Sequence, residues 1–427
     1  MAVNEIPQVI YAPQKILKRV IENPKYLAAI IIFILFIGVM IGYEYVQFSK
    51  TDVEITSPTV GNLPTFLNET LWTAPSYTSL SNNGADFFNY SVYAPNGTSS
   101  SVLSGYYSLF GNTSLEMDAS NANNIMANLT NVFNVDCGAP SGFQNLSMTI
   151  KQVEPAGVPQ SATLTLYSVN ASNFYTYDLT SDLSNASAIG LWNNLTIPVG
   201  PNAQGWAIGG GSPSWGKVTA LQLAINYPSG SNITVRIGAL FFRGQYESAL
   251  ALDGTEFALG FLEAFSLQFL FTWLVLTGII YLFFKLLKAT VTWKPLFVAV
   301  AFALLVMVIR GVVNIAAAAT LPTVYYPFEA TIATGPNLLG ALTYPSAALG
   351  ALSTQSQVAV NAIYSATAGF GDVILVMFAV SYVWLGALCT IIVGTLKQDY
   401  SMTKRIVISA ASIGVTILLL LLLIGVV

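Results

Sequence analysis

The sequence predicts a membrane protein: a five-helix transmembrane bundle, arranged 1 + 4, with an extracellular all-β sandwich or jelly-roll domain inserted after its first helix. Three observations predict this. The 427 residues are 54% hydrophobic and only 8% charged, against about 25% charged in an average soluble domain. Five stretches are long and apolar enough to cross a bilayer, which takes about 20 residues. Between the first and second of these, residues 49–255 change character and become rich in Asn, Ser, Thr, Tyr and Gly.

The first span is 27–48, LAAIIIFILFIGVMIGYEYVQF, preceded by an N-terminal segment 1–26. It is too long for an ordinary signal peptide, and no small-x-small cleavage site follows it, so it reads as an uncleaved anchor. The remaining spans are 261–284, 295–318, 372–396 and 406–427, the last without a single charge. Lys and Arg near span ends mark the cytoplasmic side. Lys15, Lys18, Arg19 and Lys25 precede the first span. Lys285, Lys288 and Lys294 lie between the second and third, and Lys397, Lys404 and Arg405 between the fourth and fifth. The loop 321–371 has none. The N-terminus is therefore expected in the cytoplasm, with the insert and the C-terminus outside, in the cell membrane. Asn-x-Ser/Thr sequons agree. All ten, at Asn68, Asn89, Asn96, Asn112, Asn128, Asn145, Asn170, Asn185, Asn194 and Asn232, fall in the insert, as expected of the glycosylated surface of an exported domain.

The insert reads as strands. SATLTLYSV (161–169) and NITVRIGALFF (232–242) alternate apolar with polar, and QNLSMTIKQV, NNLTIPVG and KVTALQLAINYP add three more. PAGVP, GPNAQG, GGGSPS and YPSGSN separate them as turns. Strand-like pieces also occur near 90–93 and 101–110. The run 174–242, with FYTYDLT, LWNNLTIPVG, a Gly-rich loop holding Trp206 and Trp215, then KVTALQLAINYP and VRIGALFF, resembles the C-terminal half of a carbohydrate-binding jelly roll. Such domains often close on an Ile-Asp-x-x-x-Phe strand, and here Gly238 stands at the Asp position. The resemblance implies a glycan ligand. Trp192, Trp206, Trp215, Tyr175 and Tyr177 either present rings to sugar faces or fill the sandwich core. Trp215, flanked by GGGSPS, is the best loop candidate.

The membrane half carries a second resemblance. KATVTWKPLFVAVAFALLVMVIRGVV and the tail from VSYVWLGALCTIIVGTLKQDYSMTKRIV onward resemble the Yip family of multi-span membrane proteins. Trp293-Lys294-Pro295 and Ser401-Met402-Thr403-Lys404-Arg405 occupy the places of that family's pre-span motifs. The resemblance implies a trafficking role, from which the large exported insert departs.

Three intramembrane charges stand out. Arg310 lies about fifteen residues, or roughly 22 Å, into its span, where an ionisable group needs a partner or water. Asp372 and Glu263, near the outer ends of neighbouring spans, are its expected partners. Gly38-x-x-x-Gly42 would let a second helix approach closely, and a homo-oligomer is one use of it. The apolar loop 321–371 either rests on the outer membrane face or under the sandwich, or enters the membrane as a pore lining.

Several activities are disfavoured. Histidine is absent, which removes the commonest general base and metal ligand. Two cysteines, Cys137 and Cys389, make neither a zinc site nor a disulfide framework. Asp118, Asp136, Glu154, Asp178 and Asp182 form no paired-carboxylate motif. No catalytic residue, cofactor or metal is expected, although a jelly roll leaves room for a Ca²⁺ site. A net charge of −4 without a basic run disfavours nucleic acid. The amide- and hydroxyl-rich insert, with little to titrate, suits an acidic exterior such as an acidophilic archaeal surface. The leading expectation is a non-enzymatic surface protein that recognises a glycan, an envelope protein or a partner complex from its place in the lipid bilayer. The alternatives are an accessory subunit of a transport or respiratory complex and, more remotely, a surface glycoside hydrolase.

Overall fold

The computed structural model describes residues 6–90, 109–138, 140–185, 189–330 and 354–423. The chain divides into two compact units: Met1–Asp52 with Ser248–Val324 and Ser365–Val427, and Val53–Glu247 with Tyr325–Tyr364.

The first unit is helical. An amphipathic helix α1 (Pro13–Glu22) buries Ile16, Leu17 and Val20 and turns Lys15, Lys18 and Arg19 outward. It is followed by α2 (Tyr26–Phe48), α3 (Ala249–Leu286), α4 (Trp293–Ala303), α5 (Leu305–Ala319), α6 (Thr354–Leu396) and α7 (Met402–Leu423). Five helical stretches are long and apolar enough to cross a membrane: Tyr26–Phe48, Leu259–Leu286, Trp293–Ala319, Gln357–Leu396 and Met402–Leu422. The third is the central one. Of its most apolar stretch 72% is buried, against 33–39% in the other four. It breaks at Leu304, where the α4 ladder ends and α5 begins.

The fourth stretch departs from the expected boundary. The helix begins at Thr354, well before Asp372, because VAVNAIYSATAG carries small and apolar residues that a helix accepts as readily as a loop. The loop 321–371 is accordingly shorter than expected. Its pore-lining reading falls largely on residues 331–353, outside the described residues. Its first part is a strand, Val324–Tyr326.

The second unit is an antiparallel sheet of eleven strands: β1 (Thr51–Ser57), β2 (Trp72–Thr73), β3 (Thr78–Asn83), β4 (Ser114–Val135), β5 (Asn145–Glu154), β6 (Ser161–Ser168), β7 (Asn170–Asp178), β8 (Asn193–Pro198), β9 (Trp206–Gly210), β10 (Val218–Ser248) and β11 (Val324–Tyr326). The turn expected at YPSGSN lies inside one long strand. β10 pairs with β4 along both halves, with register shifts between Asn226 and Ile233, opposite Asn121 at φ +54°. Such irregularities bend a strand and let it serve two layers. The first half of β10 pairs with β6, and β7 and β9 follow outward. The second half pairs with β5, followed by β8. One apolar core lies between the halves: Leu164, Leu166, Leu221 and Leu223 from the first meet Leu146, Met148, Ile150 and Ile237 from the second.

Residues 325–330 belong to this unit, an addition to the expected 49–255 domain. Phe328 is fully buried with Phe110, Phe241 and Leu63, and Glu329 pairs with Arg243.

Candidate functional site

The two halves of the sheet differ on their outer faces. That of the second half is covered by a smaller apolar cluster built from Phe88, Tyr90, Phe110 and Phe328. A cavity of about 100 Å³ remains beneath it, lined by Ser147, Thr149, Asn194, Arg243 and Glu329 among others. Three of the five basic residues of the insert are consumed there or beside it. Arg236 pairs with Asp86 and Glu116, Lys151 reaches Asp86 at 2.9 Å, and Arg243 pairs with Glu54 and Glu329. The Lys151 and Arg236 cations hold the Asp86 carboxyl below the usual range despite its partial burial.

The outer face of the first half is uncharged along its middle. Strand pairing sets Thr73, Asn128, Gln222, Thr165, Thr176 and Ala207 side by side in one row. Because side chains alternate across a strand, the whole row faces away from the core. Gln222 Nε2 donates to Asn128 Oδ1 at 2.7 Å. The next row sets Thr130, Ala220, Tyr167, Phe174 and Gly210 together. Tyr167 and Phe174 form a half-buried ledge, their ring centroids 5.6 Å apart and their planes at 53°. The Gly-rich loop is the seat of that ledge: a Cβ at Gly210 would lie 2.6 Å from Phe174 Cε1. Burial raises the Tyr167 phenol above its ordinary value, so the hydroxyl stays neutral. The middle of the surface offers the amide and hydroxyl groups of Thr73, Asn128, Gln222 and Thr176 beside two rings, with Thr165 buried beneath them and the exposed Asp178 one row further on the same face.

The expected ligand aromatics lie elsewhere. Tyr175 and Tyr177 point to the core side of β7. Tyr175 stacks on Trp215 at 4.0 Å and donates its hydroxyl to Pro213 O at 2.9 Å. Trp206 stands edge-on to Trp215 at 5.3 Å and donates Nε1–H to Pro198 O at 2.7 Å. Trp206, Trp215 and Tyr177 are half-buried against the main core. Trp192 lies on the other half, with Nε1 3.3 Å from Asp86 Oδ1 and Lys151 5.8 Å from its ring centre. Tyr175, Trp215, Trp206 and Tyr177 thus form one contiguous ring cluster at the edge of the core, and Trp192 alone lies apart from it. The ledge of Tyr167 and Phe174 was missed. Its signal is a cross-strand pair, which exists only once the register is known.

Nine of the ten sequon asparagines are described; Asn96 lies outside the described residues. Asn68, Asn89, Asn112, Asn170, Asn185, Asn194 and Asn232 are exposed, and Asn128 and Asn145 half-buried. Asn128 is engaged by Gln222.

The scattered acids serve local turns and pairs. Asp178 Oδ1 accepts from Thr180 N at 2.8 Å, and that hydrogen bonding keeps its carboxyl low. Burial beside Asp178 raises Asp182. Burial also raises Asp118, which accepts from Thr234 Oγ1 at 2.6 Å. Among the described residues no three His, Cys, Asp or Glu side chains gather as a metal site. Both cysteines are free and buried.

In the helical unit Arg310 meets neither expected partner. Its guanidinium lies 5.6 Å from the Phe378 ring centre and interacts with Tyr382 and Tyr43. Asp372 and Glu263 are exposed. Asp372 lies inside α6, from which Phe378 and Tyr382 meet Arg310 instead. A Cβ at Gly42 would lie 3.5 Å from Ile315 Cδ1, while one at Gly38 would meet nothing within 4 Å.

No protein-family model matches the chain, and no curated protein does. Several solved structures are remotely similar. A family 11 carbohydrate-binding module from Clostridium thermocellum, in complex with a β-1,3-1,4-mixed-linked tetrasaccharide, shares 11% identity with a TM-score of 0.27, over 45% of this chain and 96% of that one. An exo-β-agarase shares 9% with a TM-score of 0.28, over 43% and 25%. A carbohydrate-binding module of the β-sandwich superfamily shares 8% with a TM-score of 0.25, over 42% and 58%. Likeness this remote assigns neither a ligand nor a family.

Proposed function

We propose that this chain is a non-enzymatic surface protein that binds a neutral glycan on the outer face of the β6–β7–β9–β10 layer. In this reading the five apolar helices anchor it in the cell membrane, with the N-terminus in the cytoplasm and the sheet domain outside. The observation that carries the proposal is the charge-free middle of that face, which Asp178 borders on one side. Thr73, Asn128, Gln222, Thr165 and Thr176 lie in register beside the Tyr167–Phe174 ledge. A saccharide has the same make-up, hydroxyls that exchange hydrogen bonds and C–H faces that rest on rings. The basic side chains paired in the rest of the domain leave this face without a magnet for anions. The exposed sequon asparagines are glycosylated in this reading. The half-buried Asn128 is not, because a glycan on it would break its bond to Gln222 and stand over the binding row.

The test is a glycan array probed with the full chain in detergent. Phe174→Ala and Gln222→Ala should each weaken binding about tenfold, the scale of one lost buried contact, with the far-UV spectrum unchanged. Binding only to charged glycans, or binding indifferent to both substitutions, would reject the proposal. Copurifying redox or transport subunits would instead favour an accessory role.

A further inference from the structure

We propose that the cleft between α6 and α7 is a binding site for one lipid with an anionic phosphate headgroup. The inference rests on the reading of these helices as membrane spans. Two adjoining cavities carry it. The first, about 750 Å³, runs between the helices and is floored by small residues: Gly386 and Ala387 from α6, Ala410 and Gly414 from α7. Its walls are Val383, Ile391, Ile406, Ile413 and Ile417. The second, about 310 Å³, continues from it through the shared Gln14, Thr390, Ile391 and Met402 and is polar. Lys18, Arg405, Gln398 and Thr395 line it. One site therefore changes from hydrocarbon to cation along its length, as an acidic lipid does from tail to head.

The cationic end is built. Arg405 Nε donates to Tyr400 O and Nη2 to Gln398 O, both at 2.8 Å. These bonds fix the guanidinium against α6 at Gly394, where a Cβ would lie 2.6 Å from Nη1. Lys18 comes from a different element, the amphipathic α1, one turn beyond Gln14. Among the described residues neither Lys18 nor Arg405 has an ion-pair partner, and no acidic side chain lines the polar cavity. A phosphate would complete two donors that the chain brings together and leaves unneutralised. A second polypeptide helix would fill the apolar part but would not explain the two cations at its end. A free phosphate would satisfy the cations but not the apolar cleft.

The full chain in mild detergent is delipidated, incubated with phosphatidylglycerol, phosphatidylcholine or inorganic phosphate, and read by native mass spectrometry and thermal melting. Retained phosphatidylglycerol with a raised melting temperature, and neither effect from phosphatidylcholine, supports the site. Lys18→Gln should reduce that retention about fivefold, the factor expected for one basic group beside an acidic lipid. Gly414→Leu, whose Cβ meets nothing within 4 Å, should abolish it by filling the cleft. Equal retention of both lipids, an equal shift from inorganic phosphate, or retention unaltered in both variants would overturn the proposal. Pelleting of the chain with alkaline-washed membranes is measured separately. Loss from those membranes would refute the spanning reading itself, and retention there with no lipid preference would refute the site alone.

Discussion

Arg243 and Glu329 meet as parallel forks, with Nη1 2.7 Å from Oε1 and Nη2 3.0 Å from Oε2. The same guanidinium turns its other edge to Glu54, Nε to Oε1 at 2.8 Å and Nη2 to Oε2 at 3.0 Å. Glu54 is only 3% exposed and also accepts from the backbone N–H groups of Gly244 and Phe328. One cation thus joins the first strand of the sheet, the end of its longest strand and the segment after β11.

Removing that cation leaves two carboxylates facing each other in a buried place. Breaking a buried ion pair from one side costs about 3–5 kcal/mol. Arg243→Leu should therefore lower the denaturant midpoint of the sheet domain strongly, as followed by circular dichroism. A loss below about 1 kcal/mol would place the pair in the class of exposed salt bridges and refute its role as a staple.

The acid dependence follows from the same carboxylates. Glu329 is held below its ordinary value of 4.5 by Arg243, in spite of burial, and Asp86 below 3.8 by Lys151 and Arg236. A lowered folded-state pKa contributes stability that is complete above the unfolded value and is lost as pH falls through the folded one. Stability should hold from neutrality to about pH 5 and decline at lower pH. The scarcity of charge in the insert suggested little linkage to pH. The structure concentrates its few charges in ion pairs, where each one counts. In Arg243→Leu the sign should reverse for this site, since the unpaired carboxylates gain from protonation. A wild-type melting temperature constant down to pH 2 would refute the argument.

Hydropathy made the five apolar helices legible, because a span is a local property of composition. Alternation likewise revealed β6 and the second half of β10, and the turn signals around them bounded β5 and β8. The merging of two predicted strands into β10 was not legible, since the bend at 227–232 follows from pairing with β4 rather than from its own residues. β4 itself escaped because Glu116, Asp118 and an Asn- and Ala-rich run from Ala119 to Asn124, poor strand formers, interrupt Leu115, Met117, Ile125 and Leu129. The break at Leu304 has neither Pro nor Gly to announce it. At the candidate site tryptophan drew attention to Trp206 and Trp215, which close the core edge. Tyr167 and Phe174 become neighbours only through the β6–β7 register.

Gly238 sits where a side chain has no room. A Cβ there would lie 2.8 Å from Phe88 Cβ and 2.9 Å from Trp192 Cζ3. The Gly238 carbonyl also accepts from the buried Tyr90 hydroxyl. Gly238→Ala should cost about 1–3 kcal/mol, the usual penalty of overpacking, and Gly238→Asp more. Unchanged thermal melting of Gly238→Ala would show that the two rings yield without strain.

Cys137 gives a probe of the same domain. Burial and the neighbouring Asp136 push its thiol up to about 12, and it has no exposed surface. The reactive thiolate is therefore absent at neutral pH. Maleimide should label Cys137 only when the domain opens, at a rate that follows denaturant. Rapid labelling of the folded chain in a Cys389→Ser background would contradict the packing around it.

The last prediction separates two uses of glycine on and beside α2. Gly311 on α5 lies so close to α2 that a Cβ would come within 2.5 Å of Val39 Cγ1 and 3.4 Å of Met40 Sδ. Gly42 on α2 faces Ile315 of α5. Close approach therefore serves packing within one chain, as small residues do between membrane helices. Gly38 faces open space. Gly311→Leu should force α2 and α5 apart and lower thermal stability in detergent, with no change in oligomeric state as its cause. Gly38→Leu should leave stability unaltered. If Gly38→Leu instead dissolves a dimer seen by light scattering, the Gly38–Gly42 pair works between chains and the intramolecular account fails.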